Sequence, residues 1–257
     1  MTDITMTESF RISTVLNKAF GIFGRRLVPI IVLTAIAHIP NYFAGFLIGQ
    51  PRPGSAADLA RALAVLGVTV LIQIMVTTLA SAVVIYGVVQ EMRGRRFSAV
   101  ESFSAVLPRL LPVLGVALST GIPTALGILC LFVPGAILTC MWFVSVPVCV
   151  VEQTGVFRSM GRSRALTKGY RWQIFGAFVL ILGTLLVAGM AIGGAIGASM
   201  AFGGASPAMF AFVLKTTQLA VATLMGGFIA VFGGVCYSEL RVAKEGVDIH
   251  KIASVFD

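Results

Sequence analysis

The sequence predicts an all-α, polytopic membrane protein: six transmembrane helices arranged as three hairpins, with amphipathic helices lying on the cytoplasmic surface. Three observations predict it. Hydrophobic residues fill 58% of the 257 positions and charged residues only 11%, with a mean hydropathy of +0.98; a soluble domain is about a quarter charged. Six apolar runs are of membrane-crossing length, which takes about 20 residues in a helix. The cations fall on alternate sides of those runs. A single integral membrane domain over 1–257 accounts for all three.

In chain order the runs are Leu27–Ile48, Ala62–Gln90, Leu110–Val133, Ala136–Val151, Gln173–Met200 and Met209–Ser238. The third and fourth form one continuous apolar tract, divided here at Pro134-Gly135, a strong turn pair. The polar start, MTDITMTES, and the lack of a small-residue cleavage site predict that no signal peptide is removed and that the first span is an uncleaved anchor.

Of the 19 Lys and Arg residues, 16 fall on one side. These are Arg11, Lys18, Arg25 and Arg26 before the first span, Arg93, Arg95, Arg96 and Arg109 between the second and third, Arg158, Arg162, Arg164, Lys168 and Arg171 between the fourth and fifth, and Arg241, Lys244 and Lys251 in the tail. The other side holds only Arg52 and Arg61, and Lys215 lies inside the last run. Cytoplasmic loops carry the excess of Lys and Arg, so both termini are expected in the cytoplasm. The net charge of +9 is then a topology signal, and nucleic acid is not an expected partner.

Each pair of spans is preceded by a segment that reads as a short surface helix. In Phe10–Arg26, the residues Ile12, Val15, Leu16, Ala19, Phe20 and Phe23 follow i, i+3, i+4 spacing, with Arg11, Thr14, Lys18 and Arg25 opposite. In Phe97–Leu110, Ser98 and Glu101 form a capping box and Val100, Phe103, Val106 and Leu107 an apolar face. A third helix starts near Gly155, with Val156, Phe157 and Met160 as a smaller apolar face. The second, fourth and sixth spans each end on a carboxylate, Glu91, Glu152 and Glu239. The unit of surface helix, span, turn, span and glutamate divides the chain into pseudo-repeats at 10–91, 97–152 and 155–239. The glutamates are expected to neutralise nearby arginines, since acids at the water interface make poor coupling-ion sites.

Small residues recur every four positions in the last two spans: Gly189, Gly193 and Gly197 in one, Gly226, Ala230 and Gly234 in the other. In lipid, close backbone approach supplies helix–helix attraction. The two rows are expected to face each other in the final hairpin or to serve a second copy of the chain.

Catalytic chemistry is not expected. Cys130, Cys140, Cys149 and Cys236 are scattered in apolar segments without a CxxC or Cys/His cluster, and no phosphate loop, nucleophile elbow or HExxH is present. No metal or cofactor is implied. The functional candidates are polar groups inside the spans. His38, Asn41, Gln73, Lys215 and Gln218 are candidates to line one cavity, as in a transporter or channel for a lipid-related or small polar substrate. Local roles compete: Lys215 snorkels to the headgroups, and His38 and Asn41 satisfy carbonyls freed by Pro40.

The densest cationic stretch is RSMGRSRALTKGYRW at 158–172, with Arg158 and Arg162, and Arg164 and Lys168, each four apart. Such pairs repel on a helix, so an anionic partner is expected, and at this membrane surface that is a lipid headgroup. Trp172 falls where an aromatic-belt residue belongs. Membrane lipids are thus the expected partner, with other membrane proteins or a second copy beside them.

The tract LFVPGAILTCMWFVSVPVCVVEQTGVFRSMGRSRALTKGYRWQIFG, Leu131 to Gly176, resembles the membrane domain attached to some bacterial glycerophosphoryl diester phosphodiesterases and also found alone. The matching features are Pro134-Gly135, Pro147, Glu152, Ser163, Leu166–Gly169, Arg171 and Trp172; the ending YSELRVAKEGVDIHKI is similar too. The resemblance implies a membrane module. It does not imply hydrolysis, because that family's catalytic barrel is a separate soluble domain.

Overall fold

The computed structural model describes residues 10–47, 56–203 and 206–246. Among them every element is helical and none is a strand. Arg52, His250 and Lys251 lie outside the described residues, as does the Asn41 side chain.

The helices are α1 (Ile12–Arg25), α2 (Leu27–Leu47), α3 (Ala56–Met92), α4 (Ala99–Val106), α5 (Leu110–Cys130), α6 (Phe132–Trp142), α7 (Ser145–Val151), α8 (Val156–Thr167), α9 (Arg171–Gly203) and α10 (Pro207–Glu245). Five stretches are long and apolar enough to cross a membrane: Asp58–Met92, Ala99–Cys130, Phe132–Val151, Arg171–Ala198 and Ala208–Glu245. Counted together as one bent span, α1–α2 makes a sixth. The chain is an all-α polytopic membrane protein. The order of short helix then two long apolar stretches occurs three times: α1 before α2 and α3, α4 before α5 and α6–α7, α8 before α9 and α10.

Local chemistry sets the element ends. At Arg26 the chain turns by 86° between α1 and α2. The Ser98 hydroxyl accepts from the Glu101 N–H at 3.3 Å and starts α4. The α3–α4 connection folds back so that the Phe97 ring lies over Gly87, where a Cβ would come within 2.2 Å of it. Ser206 caps α10 by accepting from the Met209 N–H at 3.3 Å, Pro207 takes the first helical position, and Gly246 ends the helix at φ +62°.

The expected division at Pro134-Gly135 is displaced. The break falls at Leu131, extended at φ −158° and ψ 123°. Pro134 sits in the first turn of α6, where its missing N–H leaves no bond unmade. Gly135 faces the α5 backbone, and a Cβ there would lie 2.4 Å from the Ile128 nitrogen. The pair therefore makes a tight α5–α6 hairpin and not a turn. The fourth span, expected as one helix, is broken at Phe143–Val144 into α6 and α7.

Packing is uneven along the helices. Buried side chains concentrate at 80–89 of α3, 144–150 around α7 and 227–240 of α10, with Val15, Ala19 and Ile22 of α1 and Ile30 of α2 against them. Tyr237 and Phe232 are the largest fully buried side chains. The first halves of α3 and α10 and the second half of α9 are exposed, as suits surface solvated by acyl chains. The packed core thus sits in the half of the bundle next to Glu91, Glu152 and Glu239.

The two small-residue rows behave differently from each other. A Cβ on Gly189, Gly193 or Gly197 would meet nothing within 4 Å. A Cβ on Gly226 would lie 3.4 Å from the His38 ring in α2, and one on Gly234 would lie 3.1 Å from Val88 in α3; Ala230 is buried. The expected contact between the rows is not made. The α10 row packs on α2 and α3 instead, because these two helices already occupy its small-residue face.

Candidate functional site at the basic end

The basic segments converge at one end of the bundle through their glutamates. Glu91, at the end of α3, receives Arg26 at 3.0 Å and has Arg25 at 3.8 Å. Glu239 of α10 pairs with Lys18 of α1 at 2.7 Å. Glu152, just after α7, accepts from Arg162 of α8 at 3.2 Å and from the Tyr237 hydroxyl of α10 at 3.0 Å. Arg162 also pairs with Glu245, which Arg241 holds from the other side at 3.1 Å. Arg109 donates to the Val150 carbonyl at 3.2 Å. Each of the three expected glutamates therefore ties its span to a neighbouring element. Burial works against the Arg162 charge, but Glu245 and Glu152 outweigh it and hold its pKa above the ordinary value.

This geometry divides the cationic stretch of α8. Arg162 is taken up in the network. Arg171 is half-buried, with its Nε buried and unbonded. Arg158, Arg164 and Lys168 are exposed, and none of the three makes an ion pair among the described residues. They lie between Phe157 and Trp172, which are 82% and 85% exposed. The exposed surface running from α8 to the start of α9 thus carries three cations without an ion pair among the described residues, flanked in sequence by two bare aromatic rings.

Of the expected apolar face, Val156 packs against the core over Gly115, Met160 is half-buried and Phe157 is exposed; the side turned into the bundle is mainly polar. Ser159, Ser163, Leu166 and Thr167 are buried. Ser163 and Thr167 both donate to the Met141 carbonyl, at 2.9 and 3.2 Å. That carbonyl lies where the α6–α7 break interrupts the helical ladder, and the two hydroxyls satisfy it. Hydroxyls at 159, 163 and 167, four apart, were the available signal. A search for large apolar periodicity passes over them.

Two of the candidate cavity residues bond backbone carbonyls of α2. His38 Nδ1 lies 2.7 Å from the Thr34 carbonyl and donates to it, since a carbonyl only accepts. Gln73 Nε2 donates to the Ala37 carbonyl at 3.2 Å, leaving its Oε1 buried without a partner. Gln73 thus sits at the α2–α3 contact and the His38 ring lies beside Gly226 of α10, while Gln218 is exposed and Lys215 half-buried. The cavities among the described residues include three that lie elsewhere. One of 510 Å³ lies between α1 and the end of α3, beside Lys18, Arg25 and Glu91. One of 290 Å³ lies under the α6–α7 break, lined by Thr77, Thr78, Ser81, Phe143 and Gly233 among others. One of 100 Å³ lies at the α3–α4 turn. His38, Gln73, Lys215 and Gln218 line none of the three.

Comparison with protein-family models, with curated proteins and with solved structures finds no match to the chain.

Proposed function

We propose that the chain is a non-enzymatic module of the bacterial inner membrane, with both termini in the cytoplasm, whose basic end binds anionic lipid headgroups and so organises lipid or membrane partners around it. The observation that supports this reading is the outward face of α8. Cations held in structural ion pairs have no charge to spare, whereas Arg158, Arg164 and Lys168 have no carboxylate partner among the described residues and sit between exposed Phe157 and Trp172. Aromatic rings at the headgroup level fix depth, and each cation near an anionic leaflet contributes about 1 kcal/mol.

Changing Arg158, Arg164 and Lys168 together to Gln is expected to remove roughly 3 kcal/mol of attraction. Phosphatidylglycerol and cardiolipin retained through purification should fall severalfold, while the melting temperature stays within a few degrees because Arg162 is left intact. Equal retention in variant and parent overturns the lipid reading and leaves the cluster a topology signal.

The α6–α7 break favours a second reading, transport. Broken helices beside polar cavities occur at the substrate sites of transporters, and here the break adjoins the 290 Å³ cavity with three hydroxyl-bearing residues in its wall. One cysteine-free background tests both topology and this path. Ala60→Cys should react with an impermeant thiol reagent from the periplasmic side only. Ser81→Cys should resist the reagent from both sides if the chain is a passive module, and its labelling would favour transport.

A further inference from the structure

The 100 Å³ recess at the α3–α4 turn is lined by polar residues only: Tyr86, Gln90, Arg95, Arg96, Glu101 and Ser102, with Ser98 at its rim. Among the described residues Arg95, Arg96 and Glu101 make no ion pair, although Glu91, Glu152, Glu239 and Glu245 all do. Two adjacent unpaired guanidiniums repel each other and call for an anion, and their planar donor forks match phosphate oxygens. Gln90 spends its amide N–H on the Tyr86 hydroxyl at 2.8 Å, which leaves its Oε1 as a buried acceptor without a partner. Glu101 is exposed and, when ionised, an acceptor only, so it calls for a group rich in donors. A primary ammonium has three donors and no acceptor. A quaternary ammonium has no N–H to offer, and a glycerol headgroup brings no positive charge.

We propose that this recess is a binding site for the phosphoethanolamine headgroup of a membrane lipid, with phosphate on Arg95 and Arg96 and ammonium on Glu101. The proposal rests on the reading that the basic end meets lipid headgroups, but on different residues from those of α8. At 100 Å³ the recess is on the scale of a headgroup and not of an acyl chain. Beside it Val100 and Phe103 of α4 and Leu107 just after α4 are 79%, 43% and 48% exposed, and they offer the acyl chains an apolar surface. This also accounts for an α4 that buries Ser102 and Val106 while its larger apolar side chains stay outside.

The test is native mass spectrometry of the delipidated full chain, titrated with phosphatidylethanolamine, phosphatidylglycerol and phosphatidylcholine of identical acyl chains. The parent should bind phosphatidylethanolamine about fivefold more tightly than the other two, the scale of one exposed charge pair. Glu101→Gln keeps the helix-start geometry and should erase that preference. Arg95→Gln with Arg96→Gln should weaken all three lipids. The α8 variant should leave the preference intact, so failure of the α8 reading and failure of this one are separable. Equal binding of phosphatidylethanolamine and phosphatidylglycerol by the parent overturns the assignment, as does a preference that survives Glu101→Gln. Displacement of the lipid by an equal concentration of soluble phosphoethanolamine would show that the ligand is the free headgroup compound and overturn the lipid.

Discussion

Replacing Gly135 with alanine is expected to destabilise the detergent-purified protein by about 3 kcal/mol, at the upper end of what overpacking costs. The added Cβ would stand 2.3 Å from the Ile128 Cγ1, 2.4 Å from the Ile128 nitrogen and 2.7 Å from its Cα. A side chain can rotate away, but a helix backbone cannot, so α5 and α6 must separate. Gly127, facing the same seam, would place a Cβ 3.0 Å from the Gly135 Cα, and its alanine variant should cost less, about 1–2 kcal/mol. Gly193→Ala is the control: with nothing within 4 Å it should leave melting unchanged or raise it slightly through helix propensity. Equal melting of the Gly135 and Gly193 variants would show that the α5–α6 hairpin is not packed as described.

That contrast between glycines marks where sequence reasoning ends. The existence of the long apolar helices was legible because hydrocarbon thickness sets a minimum length that composition satisfies directly. The short helices before α2, α5 and α9 were legible from spacing and from the Ser98 cap. The ion pairs of Glu91, Glu152 and Glu239 were legible as charge next to charge. Spacing alone could not say which neighbour a small residue meets: the rows of α9 and α10 look alike in sequence, yet only Gly226 and Gly234 lie against other helices. Nor could hydropathy reveal the break at Phe143–Val144, since both sides of it are equally apolar. The buried hydroxyl face of α8 and the recess at Gln90, Arg95 and Glu101 escaped for a related reason. Both bring together polar groups of different elements; the four-apart hydroxyls of α8 are visible in the sequence, but the Met141 carbonyl they serve is not.

Replacing Glu152 with leucine is the second large effect, expected to cost about 2 kcal/mol of stability. Removing one member of a fully buried ion pair costs about 3–5 kcal/mol because the other charge is stranded. Here the side chains of Glu152 and Arg162 are 19% and 34% exposed, and partial access to water lowers that figure. Two donors lose their acceptor at once. Arg162 keeps Glu245, but the Tyr237 hydroxyl, on a side chain only 1% exposed, keeps only a long 3.4 Å contact from Arg241, and a buried hydroxyl left short of a partner costs about 1 kcal/mol or more. Tyr237→Phe removes that hydroxyl and should cost only about 1 kcal/mol alone. In the Tyr237→Phe background the penalty of Glu152→Leu should shrink, since one stranded donor is gone. Thermal melts of the four proteins give the coupling directly. A coupling near zero would mean that Glu152 serves Arg162 alone. A coupling of about 1 kcal/mol would mean that one carboxylate joins α7, α8 and α10, the three elements that meet at the end of the bundle where the free cations of α8 are displayed.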